Sequence, residues 1–359
     1  MRGRIDLEKC LFGEREKTVC DMGKLKASAF AFTTGVQALR LVSPSGQIIV
    51  LPYQGQQIWD VVFHGRRLTM KSFFPEPVPS VHLLDSYGAF LYHCGALRMG
   101  TPGPGDDHPV HGELPGAAYD TAWLVVGEDE GGEYLGVSGA YNYTKAFGDK
   151  YRAVPEVKLY RDSTVLHVSM TIQNLAHRPM DLMYMCHVNF FPAENGEIVQ
   201  AAGWDTKDMT VRAVIPAHVK PTPQYLSFLE SLKKNPGVTR VFRSEDRYDP
   251  EVVFYIHNLK SDAKGMTHVL QKHPDGSSDY ICWNVKDLDH AVRWILMHED
   301  TRVAGMALPS TCDPEGYTAE KKKGNVRSIP AEGTATFSVR VGCLDPAETR
   351  RMESTIRSL

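Results

Sequence analysis

Residues 100–116, GTPGPGDDHPVHGELPG, bring histidines and carboxylates together in a stretch too rich in glycine and proline for a regular helix or strand. Its candidate chemical groups are Asp106, Asp107, His108, His111 and Glu113, and the preceding segment YHCGALRMG adds His93 and Arg98. Loops held between strands are frequent places for binding and catalytic residues. The simpler interpretation is a solvated polar loop with scattered histidines, and the residues alone leave both open.

A metal site is a further interpretation of the same loop. Imidazole and carboxylate ligands suit zinc or manganese, and one more distant ligand could complete a set. The local candidates are His93, His108, His111 and Glu113. The spacing H-x2-H-x-E is not a recognised ligand pattern, so a metal stays an alternative and is not part of the predicted site.

His187 lies inside the apolar run MDLMYMCHVNFF, which has the composition of a strand. Strand alternation puts its side chain on the face of Met185, Asn189 and Phe191. Such a histidine is often a core residue bonded to a neighbour. The functional interpretation is a general acid or base on a rigid strand, with a pKa near neutrality.

Two acidic residues, Asp313 and Glu315, follow a strong strand in GMALPSTCDPEGYTAEKKKG. A structural turn with surface carboxylates is the simpler interpretation of this segment.

The elements that must position these groups are mostly strands. Runs such as QIWDVVFH, TAWLVVG, EVVFYIH and ATFSVRVG recur, and several alternate polar with apolar residues. A strand from Val165 to Leu175, the polar turn AHRP and a strand from Met180 to Phe191 predict a hairpin. The whole pattern predicts an all-β protein: a single large antiparallel β-sandwich with a few short helices.

Two helices are predicted. Residues 223–234 place Tyr225, Phe228, Leu229 and Leu232 on one face. The tail begins with Asp345 as N-cap, Pro346 at the first helical position and Glu348 as capping-box partner, and its sparse apolar residues predict a surface helix.

Composition narrows the class of protein. The 359 residues are 42% hydrophobic and 23% charged, which excludes disorder and a fibrous repeat. A net charge of −3 gives no electrostatic case for nucleic acid, and no stretch approaches the roughly 20 apolar residues that span a bilayer. The N-terminus lacks the apolar region of a signal peptide, and seven widely spaced cysteines without a CxxC pair indicate a reduced, cytoplasmic protein.

The order of these motifs resembles the aldose 1-epimerase (galactose mutarotase-like) family. There a G-x-x-x-R segment leads through a loop to HG and an aromatic strand, as GALRMG leads here to HPVHGELPGAAYDTAW. The family's N-x-x-x-x-P-x-x-L…NH strands match QNLAHRPMDLMYMCHVNF, and its LEP…G…PGE close resembles ALPSTCDPEGYTAEKKKGNVRSIPAEG. The resemblance covers residues 28–342 and is stronger still to an uncharacterised aldose-1-epimerase-like branch.

The resemblance implies that Arg98 and His111 bind sugar and that His187 is the catalytic acid, so these three side chains should converge on one concave site. It places Leu308 where the family has its base glutamate, and leucine cannot take a proton. Glu315, just beyond, is predicted to replace that base.

Further carboxylates are implied with different roles. Asp249 and Asp313 follow Glu315 as candidate bases. Asp249, in YDPEVVFY, is also the best match to an acidic residue that binds sugar hydroxyls before a VF strand, with Glu251 second. Asn189 and Glu113 complete the predicted substrate-binding set.

The implied activity is mutarotation of a free monosaccharide, neutral or uronic, without a cofactor. Phosphorylated sugars are disfavoured because the mapped loops hold no cluster of basic residues. The tryptophans near mapped strands, candidates for stacking on sugar, are Trp123, Trp283 and Trp294. Two alternatives remain: a metal-dependent sugar isomerase or epimerase that uses the histidine-rich loop, and a sugar-binding protein without catalysis.

The predicted organisation is an N-terminal extension (1–27), one sandwich domain (28–343) and a C-terminal helix (344–359) on the same domain. The oligomeric state is not specified by the sequence.

Overall fold

The computed structural model describes residues 2–212, 214–215, 220–243, 246 and 248–359. Within them the strands are β1 (Arg2–Leu7), β2 (Lys17–Asp21), β3 (Lys26–Ala31), β4 (Gln37–Ser43), β5 (Gly46–Val50), β6 (Ile58–Phe63), β7 (Arg66–Arg67), β8 (Leu91–Ala96), β9 (Thr121–Asp129), β10 (Gly132–Thr144), β11 (Lys150–Tyr160), β12 (Val165–Asn174), β13 (Met180–Val188), β14 (Glu197–Gln200), β15 (Met209–Val211), β16 (Val252–Ile256), β17 (Met266–Lys272), β18 (Ser278–Asn284), β19 (His290–Met297), β20 (Arg302–Ser310), β21 (Arg327–Ile329) and β22 (Thr334–Leu344). The α-helices are α1 (Pro223–Lys234), α2 (Tyr317–Lys323) and α3 (Pro346–Ser358), and short 3-10 helices cover Lys9–Leu11, Leu83–Ser86 and Pro236–Arg240.

The described strands form two antiparallel sheets. The smaller sheet has the order β1-β9-β10-β11-β12-β22-β18-β17-β14. The larger has the main order β15-β16-β19-β20-β13-β8-β6-β5-β4-β3-β2, with β7 beside β6 and β21 beside β13. The predicted all-β class and the antiparallel sandwich are therefore confirmed.

The main core lies between the two sheets, and β13 shows how the larger sheet is used on both faces. Its residues Leu182, Tyr184, Cys186 and Val188 point into the core shared with the smaller sheet. There the ring of Tyr184 stacks on Phe337 of β22, with centroids 4.6 Å apart. The alternate residues Met183 and Met185 belong to a second cluster on the opposite face, which we call the outer face.

The predicted hairpin between residues 165 and 191 is wrong. Strand β12 pairs with β11 and β22 in the smaller sheet, whereas β13 pairs with β8, β20 and β21 in the larger one. The side-chain amide of Asn174 donates to the carbonyls of Arg178 and Pro330 where the chain crosses between the sheets. The physical reason is burial. Strand β13 is apolar on both faces, so it belongs in a sheet that is covered on both sides, whereas β12 is half-exposed on one face.

Both predicted helices are present. Helix α1 buries Tyr225, Leu229 and Leu232, and α3 carries the full capping box of Asp345 and Glu348. The segment that the sequence predicts as a turn contains helix α2, which ends at Lys323 and is capped by Gly324, whose backbone is left-handed. None of the helices in the described part of the chain is long and apolar enough to cross a membrane.

The N-terminal residues contribute to both sheets. Strand β1 pairs with β9, and β2 pairs with β3. All seven cysteines are free thiols. The division into an extension, one domain and a C-terminal helix stays a prediction.

Candidate active site

A cavity of about 340 Å³ opens on the outer face of the larger sheet. Its floor comes from alternate residues of neighbouring strands: Met185 and His187 of β13, Val253 of β16, Val292 and Trp294 of β19, and Leu308 of β20. Its walls come from the segments around Phe73–Tyr87, Thr101–His111 and His298–Thr301, together with Arg212, Pro250, Glu251 and Pro314. A rigid sheet therefore carries the floor, and loops form the walls.

His187 lies on that floor with both ring nitrogens engaged. Its Nδ1 is 2.9 Å from Oδ1 of Asn189, and the amide nitrogen of Asn189 donates to the carbonyl of Ala89 at 3.0 Å. Because that second bond fixes the amide orientation, Oδ1 faces the imidazole as an acceptor, and Nδ1 must carry the proton. The other nitrogen, Nε2, is 3.5 Å from the Tyr87 hydroxyl and takes the role of acceptor.

Burial sets the charge of this imidazole. His187 is 4% exposed, and desolvation lowers its pKa to about 4, against a smaller raising effect of the Asn189 bond. At neutral pH the ring is uncharged, so Nε2 is a proton acceptor in the resting protein. An uncharged Nε2 can accept a proton, whereas the sequence predicts His187 as a proton donor.

His111 faces the same cavity from the loop wall. Its ring centroid is 5.2 Å from that of His187, with the planes nearly perpendicular. Burial, followed by the charges of His187 and Arg212, lowers its pKa well below the ordinary value. Within the described residues its buried Nδ1 has no hydrogen-bond partner, which leaves that atom for a ligand.

The glycine of the HG motif explains how His111 reaches this position. A Cβ at Gly112 would lie 2.1 Å from the carbonyl oxygen of Arg98 and 2.6 Å from that of Gly95, and the residue has φ +82°. Only glycine allows this approach of the loop to β8. The His111 amide donates to Gly100, and its carbonyl accepts from Gly95.

A carboxylate is held at another side of the cavity. Glu251 accepts from Nη2 of Arg212 at 2.6 Å and from Nε1 of Trp294 at 2.7 Å. The side chains of Arg212 and Glu251 are both largely buried. The bonds from Arg212 and Trp294 to the Glu251 carboxylate are charge-assisted, and together they fix its orientation. The Trp294 ring also lies 5.5 Å from His187 and 5.7 Å from Tyr87, so it joins the carboxylate to the histidine side of the site.

The predicted site residues separate into two groups. His111 and His187 share the cavity, and Leu308 lines it at the position that the resemblance assigns to the base. The described lining does not include Arg98, so the predicted convergence of three residues holds for two. The Arg98 guanidinium lies 3.5 Å above the Tyr317 ring and 3.9 Å from Asp181.

Two other predicted binding residues act on the scaffold. Oε1 of Glu113 accepts from the amides of Ala96 and Leu97 and from the Tyr151 hydroxyl, at 3.1, 3.0 and 2.7 Å. It therefore ties the loop to both sheets. Asn189 is fully buried behind His187 and positions that ring.

The predicted carboxylates are placed differently from the expectation. Asp249 is exposed and outside the described lining, and it is the second candidate, Glu251, that lines the cavity. Asp313 is 3.0 Å from Nζ of Lys323.

Glu315 lies directly after the wall residue Pro314. Burial raises the pKa of its carboxyl, and this effect is larger than the lowering by the positive charge of Arg212. Its buried Oε1 has no partner in the described part of the chain.

The histidine-rich loop does not gather metal ligands. His93 points into the core, 2.8 Å from the Tyr184 hydroxyl, with a pKa lowered to about 3 by burial. His108 lies against Pro109 and beside Asp106, whose carboxylate accepts from Thr318 of α2. Among the described residues, no group of three or more His, Cys, Asp or Glu side chains could hold a metal ion.

Of the three candidate tryptophans, only Trp294 lines this cavity; Trp123 lies under Arg4 on the smaller sheet, and Trp283 donates to Leu288 in the core. Tyr87 and Arg212 also line the cavity, and neither is predicted from the sequence. Neither residue stands in a recognisable motif. Arg212 could have been found only if the pairing of its strand with the segment YDPEVVFY were known, since that pairing brings it beside Glu251.

Fold and cavity together define an all-β sandwich protein whose pocket, largely apolar with a few buried polar groups, lies on the outer face of one sheet. Residues 33–203 match the model of a family described as a domain of unknown function, DUF4432. No curated protein matches the chain.

Solved structures identify the fold further. The chain is similar to a protein from Klebsiella pneumoniae named a putative aldose 1-epimerase, with a TM-score of 0.83 and 16% identity over 100% of this chain and 96% of that one. It is also similar to a galactose mutarotase-like protein from Clostridium acetobutylicum, with a TM-score of 0.60 and 12% identity over 90% and 99% of the two chains. The fold is therefore galactose mutarotase-like.

Proposed function

We propose that this protein is an aldose 1-epimerase, or a related sugar epimerase, that interconverts the anomers of a free monosaccharide without a cofactor. The observation that carries the proposal is His187: a buried, uncharged imidazole whose Nε2 faces a cavity on a galactose mutarotase-like fold. The Tyr87 hydroxyl, 3.5 Å away, places a proton donor beside that acceptor.

Mutarotation requires one proton to leave the anomeric hydroxyl and another to reach the ring oxygen. These two oxygens are attached to the same carbon, so an adjacent acceptor and donor can serve both. His187 Nε2 takes the proton of the anomeric hydroxyl while Tyr87 gives its proton to the ring oxygen. The bond between the anomeric carbon and the ring oxygen breaks, and the free aldehyde forms.

Rotation about the bond to C2 presents the other face of the aldehyde. Closure then reverses both transfers: the imidazolium of His187 returns its proton to the carbonyl oxygen, and Tyr87 takes its own back from the hydroxyl. His187 acts as acceptor in opening and as donor in closing. This scheme needs no carboxylate at Leu308, and Glu251, Arg212 and His111 would bind the hydroxyl groups of the sugar.

The test is anomer exchange measured by NMR or polarimetry on a panel of freshly dissolved sugars. His187→Ala and the better space-filling His187→Gln should both lower kcat by about 10²–10⁴-fold. The matched control is His177→Ala, since that side chain is 91% exposed. Full activity in both His187 variants would contradict the proposal.

One observation favours a second candidate, a sugar-binding protein without catalysis: Leu308, at the mapped base position, contributes only an apolar side chain to the cavity. Sugar binding by calorimetry or NMR, together with exchange no faster than in buffer, would select that candidate.

A further inference from the structure

The cavity has an unusually apolar wall for a site that binds sugar. The side chains of Phe73, Phe74, Leu83 and Leu84 line it from one segment of the chain. Two of these, Phe73 and Leu84, form its outer edge, where they are 67% and 58% exposed. Because large apolar side chains are seldom left so exposed together without a role, this edge indicates contact with a ligand.

The floor of the cavity is also largely apolar. Along β19 the outer face carries Val292, Trp294 and Leu296 in succession, and Met185 and Val253 lie beside them. Most polar lining groups lie with His187, His111, Arg212 and Glu251. Beside the apolar wall the polar residues are Thr301 and His298, whose ring is 5.9 Å from Phe73 and whose Nδ1 already accepts from the amides of Asp300 and Thr301. Glu251 accepts from Arg212 and from Trp294, so it is a fixed polar group on the side of the cavity where sugar hydroxyls are proposed to bind.

A fully hydroxylated hexose would place at least one hydroxyl against this apolar wall. A buried hydroxyl without a partner costs stability in the complex, whereas a methyl group in the same place gains from the burial of apolar surface. Resting on the proposed function, we propose that the substrate is a reducing deoxy sugar, with a methyl group where the ordinary hexose carries its exocyclic hydroxymethyl. That methyl contacts the wall of Phe73, Leu84 and Leu296 while the anomeric end meets His187.

Matched sugar pairs test this directly, because each pair differs only in the exocyclic oxygen: fucose with galactose, rhamnose with mannose and quinovose with glucose, in both enantiomeric series. Anomer exchange of each sugar is measured by NMR, and binding by saturation-transfer NMR on the same samples. The deoxy member of at least one pair should have kcat/KM about 10- to 100-fold higher than its partner.

Variants of the exposed edge supply the second measurement. Phe73→Asn and Leu84→Asn should reduce the deoxy preference, because they should raise KM for the deoxy sugar more than KM for its hydroxylated partner. The matched control is Phe147→Asn, because Phe147 is fully exposed on a loop outside the cavity.

The outcomes separate the two proposals. Equal or faster exchange of the hydroxylated sugar in every pair would overturn the deoxy-sugar inference and leave the epimerase proposal intact. Preferential binding of deoxy sugars without exchange would support the substrate class and contradict the catalytic proposal. Absence of both binding and exchange for all pairs would contradict both.

Discussion

Replacing Asn189 with aspartate tests the direction of proton transfer at His187. The substitution puts a negative charge at the atom that lies 2.9 Å from Nδ1. An opposite charge at this distance raises the pKa of an imidazole by roughly 1–3 units. Starting from a pKa of about 4, His187 in Asn189→Asp should titrate near pH 6, about two units higher.

The consequence for rate depends on which form of His187 is active. If the neutral ring begins the reaction, the active fraction at pH 5 falls from about nine-tenths to about one-tenth, so kcat/KM should drop about tenfold at pH 5 and remain unchanged at pH 8. The unsubstituted protein should keep constant activity down to about pH 5 and lose it below about pH 4, as its imidazole becomes charged.

The assay is anomer exchange of the best sugar between pH 4.5 and 8, with the pKa of His187 followed by NMR. Asn195→Asp, which adds the same charge at an exposed loop position, is the control. The aspartate also loses the bond to Ala89, at a cost of about 1–3 kcal/mol, so folding must be checked at each pH. If His187 began as the donor, the variant would be roughly 100-fold faster at pH 7, and that result would refute the reasoning.

Three further predictions concern other groups. Tyr87→Phe should keep KM within about twofold and lower kcat by roughly 10²-fold or more, because the ring oxygen loses its proton donor; unchanged kcat in exchange assays would remove Tyr87 from the mechanism. Glu315→Gln should leave activity near that of the unsubstituted protein if Tyr87 and His187 form the pair, whereas a loss as large as that of His187→Ala would restore Glu315 as the base. Acid should destabilise the fold: the pKa values of His93 and His187 are lowered to about 3 and about 4, so the unfolded chain binds more protons below its own pKa near 6.5. Each residue should then cost about 2 kcal/mol of unfolding free energy at pH 5 relative to pH 7, and His93→Phe should show a smaller pH dependence in urea titrations than the unsubstituted protein.

Local pattern was enough to predict the parts of the site that depend on one strand or one turn. The alternation in MDLMYMCHVNFF placed His187 on the face of Met185, which is the cavity floor. The HG motif placed His111 at the turn that Gly112 makes possible. Capping residues similarly predicted where the C-terminal helix begins, with Asp345 as its N-cap.

The other features of the site depend on tertiary contacts, which the sequence pattern does not show. Arg98 lies outside the described cavity lining because its guanidinium packs on Tyr317 of α2. Helix α2 is not predicted from the sequence. Arg212 and Glu251 meet through the pairing of β15 with β16, and strand pairing is not visible in one sequence. The hairpin prediction failed for a related reason: two successive strands with a short turn can pair with each other or join different sheets, and the choice depends on which faces become covered.

Residues on the two faces of β13 contribute to different properties of the protein, so selection should act on them differently. Positions 182, 184, 186 and 188 hold the sandwich together, whereas Met183, Met185 and His187 look onto the outer face. A scan of every substitution along this strand should therefore show a period of two: cellular abundance falls at the even positions, and turnover per molecule changes at the odd ones. Within these seven residues, substitutions at the odd positions can therefore change ligand recognition while the core packing that stabilises the fold is kept.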